Sequence, residues 1–283
     1  MTTTATPDLS LSPATAEGTS NYTSAAVGRS RGWRDLRSLL NALRSERIKL
    51  VTVRTGRALF LMTIIINFAA ALATAKLVTD EVLTVSKVFV FPAIFTAVFV
   101  SISGILMFTS EAQHGTLAVT IAARPTRWVI AGAKALMSVT VGGVFGLVGM
   151  AAAAGGAALG GLALGSVSAM AATAGWALLY TGAAAIFGLG VGMIARHSGG
   201  AISGLLVWWF VAENLIRSFV APTIGRFLPF DAGYRTLGVG SNFDTPEILA
   251  AALRRPEYAL IFGSYAILTL ALGVVLLNRR DVN

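Results

Sequence analysis

The sequence contains no cysteine and only two histidines, and just 12% of its 283 residues are charged. The absence of cysteine excludes disulfides, thiol redox chemistry and cysteine-based metal sites. His114 and His197 offer too few ligands for a zinc site, so no metal is expected. A soluble domain usually carries about 25% charged residues. Since 55% of the residues are hydrophobic, the sequence predicts an integral membrane protein.

The sequence also lacks a Gly-x-x-x-x-Gly-Lys-Ser/Thr loop, the phosphate-binding motif of many ATPases. We therefore expect no nucleotide site of that kind, no bound cofactor and no enzymatic activity in this chain. The glycine-rich run at 188–192 lies inside an apolar stretch without a preceding strand, which favours close helix packing. The net charge of +9 comes mostly from residues that flank apolar runs. This distribution indicates lipid head groups, and not nucleic acid, as partners.

The N-terminal region divides into two parts. Residues 1–30 are polar and poor in large apolar groups, so we predict a disordered cytoplasmic tail without a signal peptide. Residues 31–57 are basic, and their leucines recur at helical spacing. This pattern predicts an amphipathic interface helix, with leucines in the acyl boundary and arginines on phosphates. The alternative is a solvated helix packed on another subunit.

Six apolar runs follow, each close to the ~20 residues needed to cross ~30 Å of hydrocarbon. They predict an all-α permease domain over 58–280 with spans at about 58–79, 88–109, 128–154, 167–195, 199–220 and 258–278. We expect the glycines of 155–161 to form the turn after the third span. Lys134 lies near the start of that span, where its ammonium group could reach the interface. Asn67 and the Gly142/Gly146 stripe favour contacts between helices.

Lys and Arg residues are concentrated on one side of these spans, which places both termini in the cytoplasm. The polar segment 110–134 is then cytoplasmic, and its stretch 116–123 is long enough for one short helix. The segment 221–257 lies on the outer side and is too apolar for a solvated loop. We expect it to form short helices that dip into the outer leaflet, where protein must cover their backbone.

Glu213 is the one acid well inside a predicted span. A charge at that depth costs about 2.5–3.5 kcal/mol on insertion scales, and such residues are often functional. Arg217 follows four residues later on the same helical face. Two interpretations stay open: the pair belongs to a substrate pathway or outer gate, or it is a structural i,i+4 ion pair.

Several strings in the chain resemble the permease subunits of type 2 ABC exporters. The string after the second span matches a Glu-x-x-x-Gly-Thr … Pro-x-Arg … Ala-Lys pattern, with Glu111, Gly115, Thr116, Pro125, Arg127 and Lys134 at the matching positions. Upstream, Glu46 and Lys49 resemble the Glu-x-x-Lys that precedes the first span of that family. Glu213 and the later Leu228-Pro229-Phe230 also resemble its pattern.

The resemblance implies an exporter half in the cell membrane that forms a homodimer or pairs with a second permease subunit. A separate cytoplasmic ABC ATPase would bind ATP and magnesium and dock on the cytoplasmic face. The implied coupling residues are Glu46, Lys49, Glu111, His114, Gly115, Thr116, Arg124 and Arg127. An amphiphilic substrate is expected. The alternatives are an ATP-independent secondary transporter or channel, and a membrane scaffold or sensor.

Overall fold

A computed structural model describes residues 54–78, 85–88, 90, 92–117, 127–163, 165–238 and 244–279. Regular structure within these ranges is helical. In chain order the helices are α1 (Arg54–Leu77), α2 (Val85–Val88), α3 (Ala93–Gln113), α4 (Arg127–Leu159), α5 (Val167–Ala195), α6 (Ser198–Val207), α7 (Glu213–Phe219), α8 (Pro222–Gly225), α9 (Pro229–Arg235), α10 (Pro246–Ala250) and α11 (Arg255–Arg279). A π-helical turn, Trp208–Ala212, joins α6 to α7.

Six helical segments in the described ranges are long and apolar enough to cross a membrane: α1, α3, α4, α5, the continuous segment from α6 to α7, and α11. This confirms the predicted all-α, multi-pass architecture. The predicted tail, most of the predicted interface helix and most of the short cytoplasmic helix predicted at 116–123 lie outside the described residues. Because α1 begins at Arg54, the last residues assigned to the interface helix belong to the first span.

The long helices alternate in direction, which brings their ends together at two faces of the bundle. We call the end where α1 and α4 begin the proximal face, and the end where α1 and α4 finish the distal face. At the proximal face the Ser198 hydroxyl of α6 donates to Gln113 Oε1 at the end of α3, over 2.7 Å. At the distal face the Val85 N–H of α2 donates to the Ala163 carbonyl beyond α4, over 3.1 Å.

Helices α3 and α5 form the centre of the bundle, and glycines let their backbones touch. A Cβ added at Gly188 would lie 2.1 Å from the Ser101 carbonyl oxygen, and one at Gly104 would lie 2.4 Å from the Ala185 oxygen. Ser101 Oγ reinforces this contact by donating to the Ala184 carbonyl over 3.0 Å. The packing role predicted for the glycine-rich run at 188–192 is therefore confirmed.

Gly188→Ala is expected to destabilise the protein by about 1–3 kcal/mol, because overpacking forces α3 and α5 apart. Gly175→Ala is the matched control, since Gly175 lies on α5 too and an added Cβ meets nothing within 4 Å there. Thermal unfolding in detergent should show a lower midpoint for Gly188→Ala and no loss for the control. Equal midpoints for both variants would contradict the contact.

The turn after α4 corrects one predicted boundary. The third span was expected to end before Gly155, but α4 continues through Gly155 and Gly156 to Leu159. A Cβ at Gly156 would lie 2.3 Å from the Phe68 carbonyl oxygen, so this glycine permits α1 to approach α4. The chain turns instead at Gly161, whose φ of 89° favours glycine.

Two further predicted contacts lie within one chain. An added Cβ at Gly142 would be 2.7 Å from the Thr181 carbonyl oxygen, so the stripe on α4 packs against α5. Asn67 of α1 is buried, and its Oδ1 accepts from Thr96 Oγ1 of α3 over 3.1 Å. The glycine stripe and Asn67 thus both lie at contacts between neighbouring spans.

Candidate functional site

A buried ion pair joins α3 to α4 near the proximal face. Lys134 Nζ lies 2.9 Å from Glu111 Oε1, and the same ammonium group donates to the Met107 carbonyl over 3.1 Å. Lys134 is 0% exposed and Glu111 is 6% exposed. A charge buried without its partner is costly, so the two side chains depend on each other. The pair therefore fixes the end of α3 against the start of α4.

This pair corrects the expectation that Lys134 reaches the interface. Because α4 begins at Arg127, Lys134 lies about two turns inside the helix and faces α3. Glu111 likewise belongs to the last turns of α3 and not to a solvated loop. Replacing the implied coupling residue Glu111 with arginine would therefore place a second cation beside Lys134. That variant is expected to disturb the fold itself.

The chain leaves α3 in an exposed turn formed by three of the predicted coupling residues. His114 Nδ1 lies 2.7 Å from the Ser110 carbonyl oxygen, and Gly115 has a φ of 71°. Thr116 Oγ1 donates to the Glu111 carbonyl over 3.4 Å. Glu46, Lys49 and Arg124 lie outside the described residues, and Arg127 is the first residue of α4. An exposed turn thus follows directly after a buried ion pair.

The second predicted histidine has a structural role at the same face. His197 precedes α6, and its Nδ1 accepts from the Gly200 N–H over 3.1 Å. An acceptor at this position satisfies a backbone donor that the first helical turn leaves without an intrahelical partner. Ser198 next to it bonds to Gln113 of α3. The start of α6 is therefore tied to the end of α3, beside the Glu111–Lys134 pair.

Near the distal face, the Glu213 carboxylate caps the buried helix α9. Its Oε2 accepts from the Phe230 N–H over 3.1 Å, and its Oε1 accepts from the Asp231 N–H over 2.5 Å. These donors belong to the first turn of α9, which has no carbonyls of its own to offer them. Glu213 is 4% exposed, so water does not compete for the carboxylate. Glu213 of α7 therefore fixes the start of α9 to the rest of the bundle.

In the structure, Glu213 and Arg217 do not form the i,i+4 ion pair that was one of the two interpretations of the sequence. Arg217 Nη1 instead donates to Asp231 Oδ1 over 2.8 Å, and its Nη2 donates to Asn214 Oδ1 over 3.2 Å. The buried N–H groups of α9 need an acceptor, and Glu213 supplies it. Arg217, at 27% side-chain exposure, then neutralises the acid at the start of α9. Glu213 and Arg217 thus both bind α9. The sequence pattern had not predicted any contact between this pair and α9.

Arg235, together with the carboxylates of Asp231 and Asp244, completes this network. Arg235 Nε donates to Asp231 Oδ2 over 2.7 Å, and its two Nη atoms donate to the Asp244 carboxylate over 3.0 and 2.7 Å. Burial alone would lower the pKa of Arg235, but the Asp244 hydrogen bonds and the Asp231 charge outweigh it, so that pKa is raised. Burial raises the pKa of the neighbouring Tyr234 hydroxyl. The i,i+4 spacing of Asp231 and Arg235 is the sequence signal that could have revealed part of this network.

Aromatic side chains surround α9 and cover its buried face. The Phe230 ring stacks on Trp209 with a centroid distance of 4.0 Å and meets Phe187 edge-on at 5.2 Å. A Cβ added at Gly233 would lie 2.8 Å from Tyr180 and 3.2 Å from Phe262, so no larger residue fits between them. The prediction that part of 221–257 forms short helices is confirmed. For α9, protein covers the backbone as a re-entrant helix requires.

Arg235→Lys is expected to lower the unfolding free energy by about 1.5–3 kcal/mol for each charged hydrogen bond that is lost. A lysine ammonium cannot reproduce the two-pronged contact with Asp244 and still reach Asp231. Arg217→Lys serves as the comparison, because Arg217 is more exposed and contacts Asp231 through one nitrogen. Thermal unfolding should show the larger loss for Arg235→Lys. A larger loss for Arg217→Lys would place the centre of the network elsewhere.

The two polar sites contain no arrangement typical of a metal centre. No cluster of three or more His, Asp or Glu residues that could hold a metal occurs in the part of the chain that the structure describes. Both sites instead connect helices across the bundle. The described structure is thus that of a multi-pass α-helical membrane protein with one buried polar joint near each face. Searches of family models and of curated proteins find no match to this chain.

Proposed function

We propose that this chain is the membrane-spanning subunit of an exporter driven by a separate ABC ATPase. The observation that carries the proposal is the Glu111–Lys134 pair, which joins the two helices on either side of the signature-like segment. Glu111 and Lys134 are the first and last residues of that segment, which resembles the motif of type 2 ABC exporters. A force applied to the exposed turn at 114–116 would reach α3 and α4 together. The chain has no phosphate-binding loop of its own, so ATP and magnesium belong to the partner.

In this proposal the proximal face is cytoplasmic and the protein resides in the cell membrane with both termini inside. The excess of Lys and Arg near this face supports that orientation. The exposed turn, together with the predicted interface helix around Glu46 and Lys49, provides the docking surface for the ATPase. Glu111 contributes from inside the bundle, by keeping α3 and α4 together while the ATPase moves them.

The distal network supplies the outer gate in the same proposal. Helix α9 lies among α5, the Trp208–Ala212 turn and α11, and Glu213 and Arg217 hold its first turn. A displacement of α7 would therefore move α9. π-helical turns frequently occur at functional sites, and the one before Glu213 is a candidate hinge. A second permease subunit, identical or related, would complete the pathway for an amphiphilic substrate.

The test is co-purification followed by reconstitution. Tagged protein, extracted in mild detergent from native membranes, is expected to bring down a soluble protein with a phosphate-binding loop and ATPase activity. Vesicles that contain both proteins should move an amphiphilic probe only when ATP is present. Transport by the purified chain alone would support a secondary transporter or channel, and would contradict the proposal. Absence of both ATPase and transport would support the scaffold alternative.

The docking surface can be tested with His114→Ala/Thr116→Ala. Both residues are exposed, so the variant should insert and fold normally. We expect it to recover less ATPase than the original chain does. Arg279→Ala is the control, since Arg279 is exposed at the proximal end of α11. Equal recovery from both variants would show that the turn does not contact the ATPase.

A further inference from the structure

A small pocket near the distal face is lined mainly by positive charge. It has a volume of about 30 Å³ and lies between residues of α7, α9, α10 and α11. Three guanidinium groups and one carboxylate line it, those of Arg217, Arg226, Arg235 and Asp231. A cleft in which one sign of charge predominates concentrates ions of the opposite sign. The pocket therefore favours a negatively charged occupant.

Arg226 is the cation that the distal network does not neutralise. It follows α8 and is half-buried, and its Nη1 donates to the Ala251 carbonyl over 3.1 Å. Its Nε is buried and has no hydrogen-bond partner. Within the described residues Arg226 forms no ion pair. A buried charged donor without an acceptor is unfavourable, so Arg226 requires a further acceptor.

The carboxylates of the network are already occupied by other donors. Both oxygens of Asp231 and both oxygens of Asp244 accept from arginines other than Arg226. Both oxygens of Glu213 accept from backbone N–H groups of α9. A counter-ion for Arg226 must therefore come from outside this network.

The volume of the pocket decides what kind of anion fits. One water molecule needs about 10–15 Å³ of such space, so about 30 Å³ holds roughly two atoms of that size. Pockets for larger organic ligands have volumes of about 300–1,000 Å³. An amphiphile would not fit inside, whereas a single-atom anion would.

We propose that this pocket binds one small inorganic anion of about the size of chloride, held by Arg226 and Arg217. The Tyr258 hydroxyl accepts from the Leu253 N–H over 3.1 Å, so its own hydrogen is available to the same anion. The bound anion would neutralise Arg226 and connect the end of α8 to α7 and α11. The inference is independent of the exporter proposal, because it requires neither an ATPase nor transport.

The first test is thermal unfolding of the full chain in detergent at increasing sodium chloride. Sodium gluconate, whose anion is too large for the pocket, keeps the ionic strength constant. The midpoint should rise with chloride and then saturate, since a ligand that binds only the folded state stabilises it. Arg226→Gln should raise the half-saturating chloride concentration at least about tenfold, the effect of losing a charge-assisted hydrogen bond. Arg254→Gln, exposed at the same face and outside the pocket, should leave it unchanged.

A second measurement locates the anion and does not depend on any variant. Crystals of the full chain grown with bromide in place of chloride should show an anomalous scattering peak beside Arg226. Arg226→Lys keeps the charge but loses the planar donor group, so its affinity for chloride should lie between those of the original chain and Arg226→Gln. Equal midpoints in chloride and gluconate, or equal shifts for Arg226→Gln and Arg254→Gln, would overturn the proposal. Electron density for water alone in the pocket of the bromide crystals would overturn it as well.

Discussion

Replacing Glu111 with alanine is expected to lower the free energy of unfolding by about 3–5 kcal/mol, the effect of removing one partner from a buried ion pair. The Lys134 ammonium group is 0% exposed and would lose the carboxylate that lies 2.9 Å from it. The Lys134 side chain cannot reach water by changing its rotamer, because the residue lies about two turns inside α4. Chemical or thermal unfolding in detergent measures the loss.

The double variant Glu111→Leu/Lys134→Met separates folding from coupling. Replacing both charges of a buried pair with apolar residues of similar size is often neutral or stabilising, so this variant should unfold near the original midpoint. The proposed exporter function predicts that, in vesicles reconstituted with the ATPase, this variant shows weaker ATP-dependent transport, because apolar contacts between α3 and α4 slide more easily than an ion pair. The measurement is transport rate relative to ATPase activity.

Two results would contradict this account. If Glu111→Ala unfolds at the original midpoint, the pair does not stabilise the bundle. If the double variant folds and transports at the original rate, the pair is structural and takes no part in coupling. Arg217→Lys controls for the general effect of altering a charge contact, since it changes the distal network and leaves the proximal pair intact.

The second large effect is expected from Glu213→Ala, which should release α9 from the bundle. The variant removes the acceptor of two buried backbone N–H groups at once. Hydrogen bonds to charged groups contribute about 1.5–3 kcal/mol each. Their loss is therefore expected to increase the open population of α9 at least about tenfold, since ~1.4 kcal/mol corresponds to a factor of ten.

The absence of cysteine from the chain makes this expectation directly measurable. A single cysteine at Ala232, which is 0% exposed on α9, reacts with a polar maleimide only when α9 leaves its site. The labelling rate should rise at least about tenfold in the Glu213→Ala background. A cysteine at Phe219, which is 82% exposed, should label at the same rate in both backgrounds. An unchanged rate at Ala232 would show that the aromatic contacts of Phe230 hold α9 without Glu213.

Glu213→Gln distinguishes charge from hydrogen bonding at the same site. The amide keeps one acceptor oxygen, so it can satisfy one of the two N–H groups but loses the charge that stabilises the start of α9. We expect its labelling rate to lie between those of the original chain and Glu213→Ala. This intermediate result would assign the capping role to the carboxylate itself, and not to the volume of the side chain.

The sequence by itself determined the number of spans, because each needs an uninterrupted apolar run of about 20 residues and six such runs occur. It also determined the packing role of 188–192, since small residues in an apolar helix have few other uses. The short helices after α7 were predictable in kind from the prolines and aromatic residues of 221–257. These conclusions depend only on local composition and spacing.

Only the tertiary structure decided which charges meet. Helical spacing pairs Glu213 with Arg217, yet Glu213 binds the backbone of α9 and Arg217 binds Asp231, because α9 folds back into the bundle. Lys134 and Glu111 are far apart in sequence, and their contact requires α3 and α4 to pack side by side. A residue's neighbours along a helix follow from its periodicity, whereas its neighbours across helices follow from the packing of the whole chain.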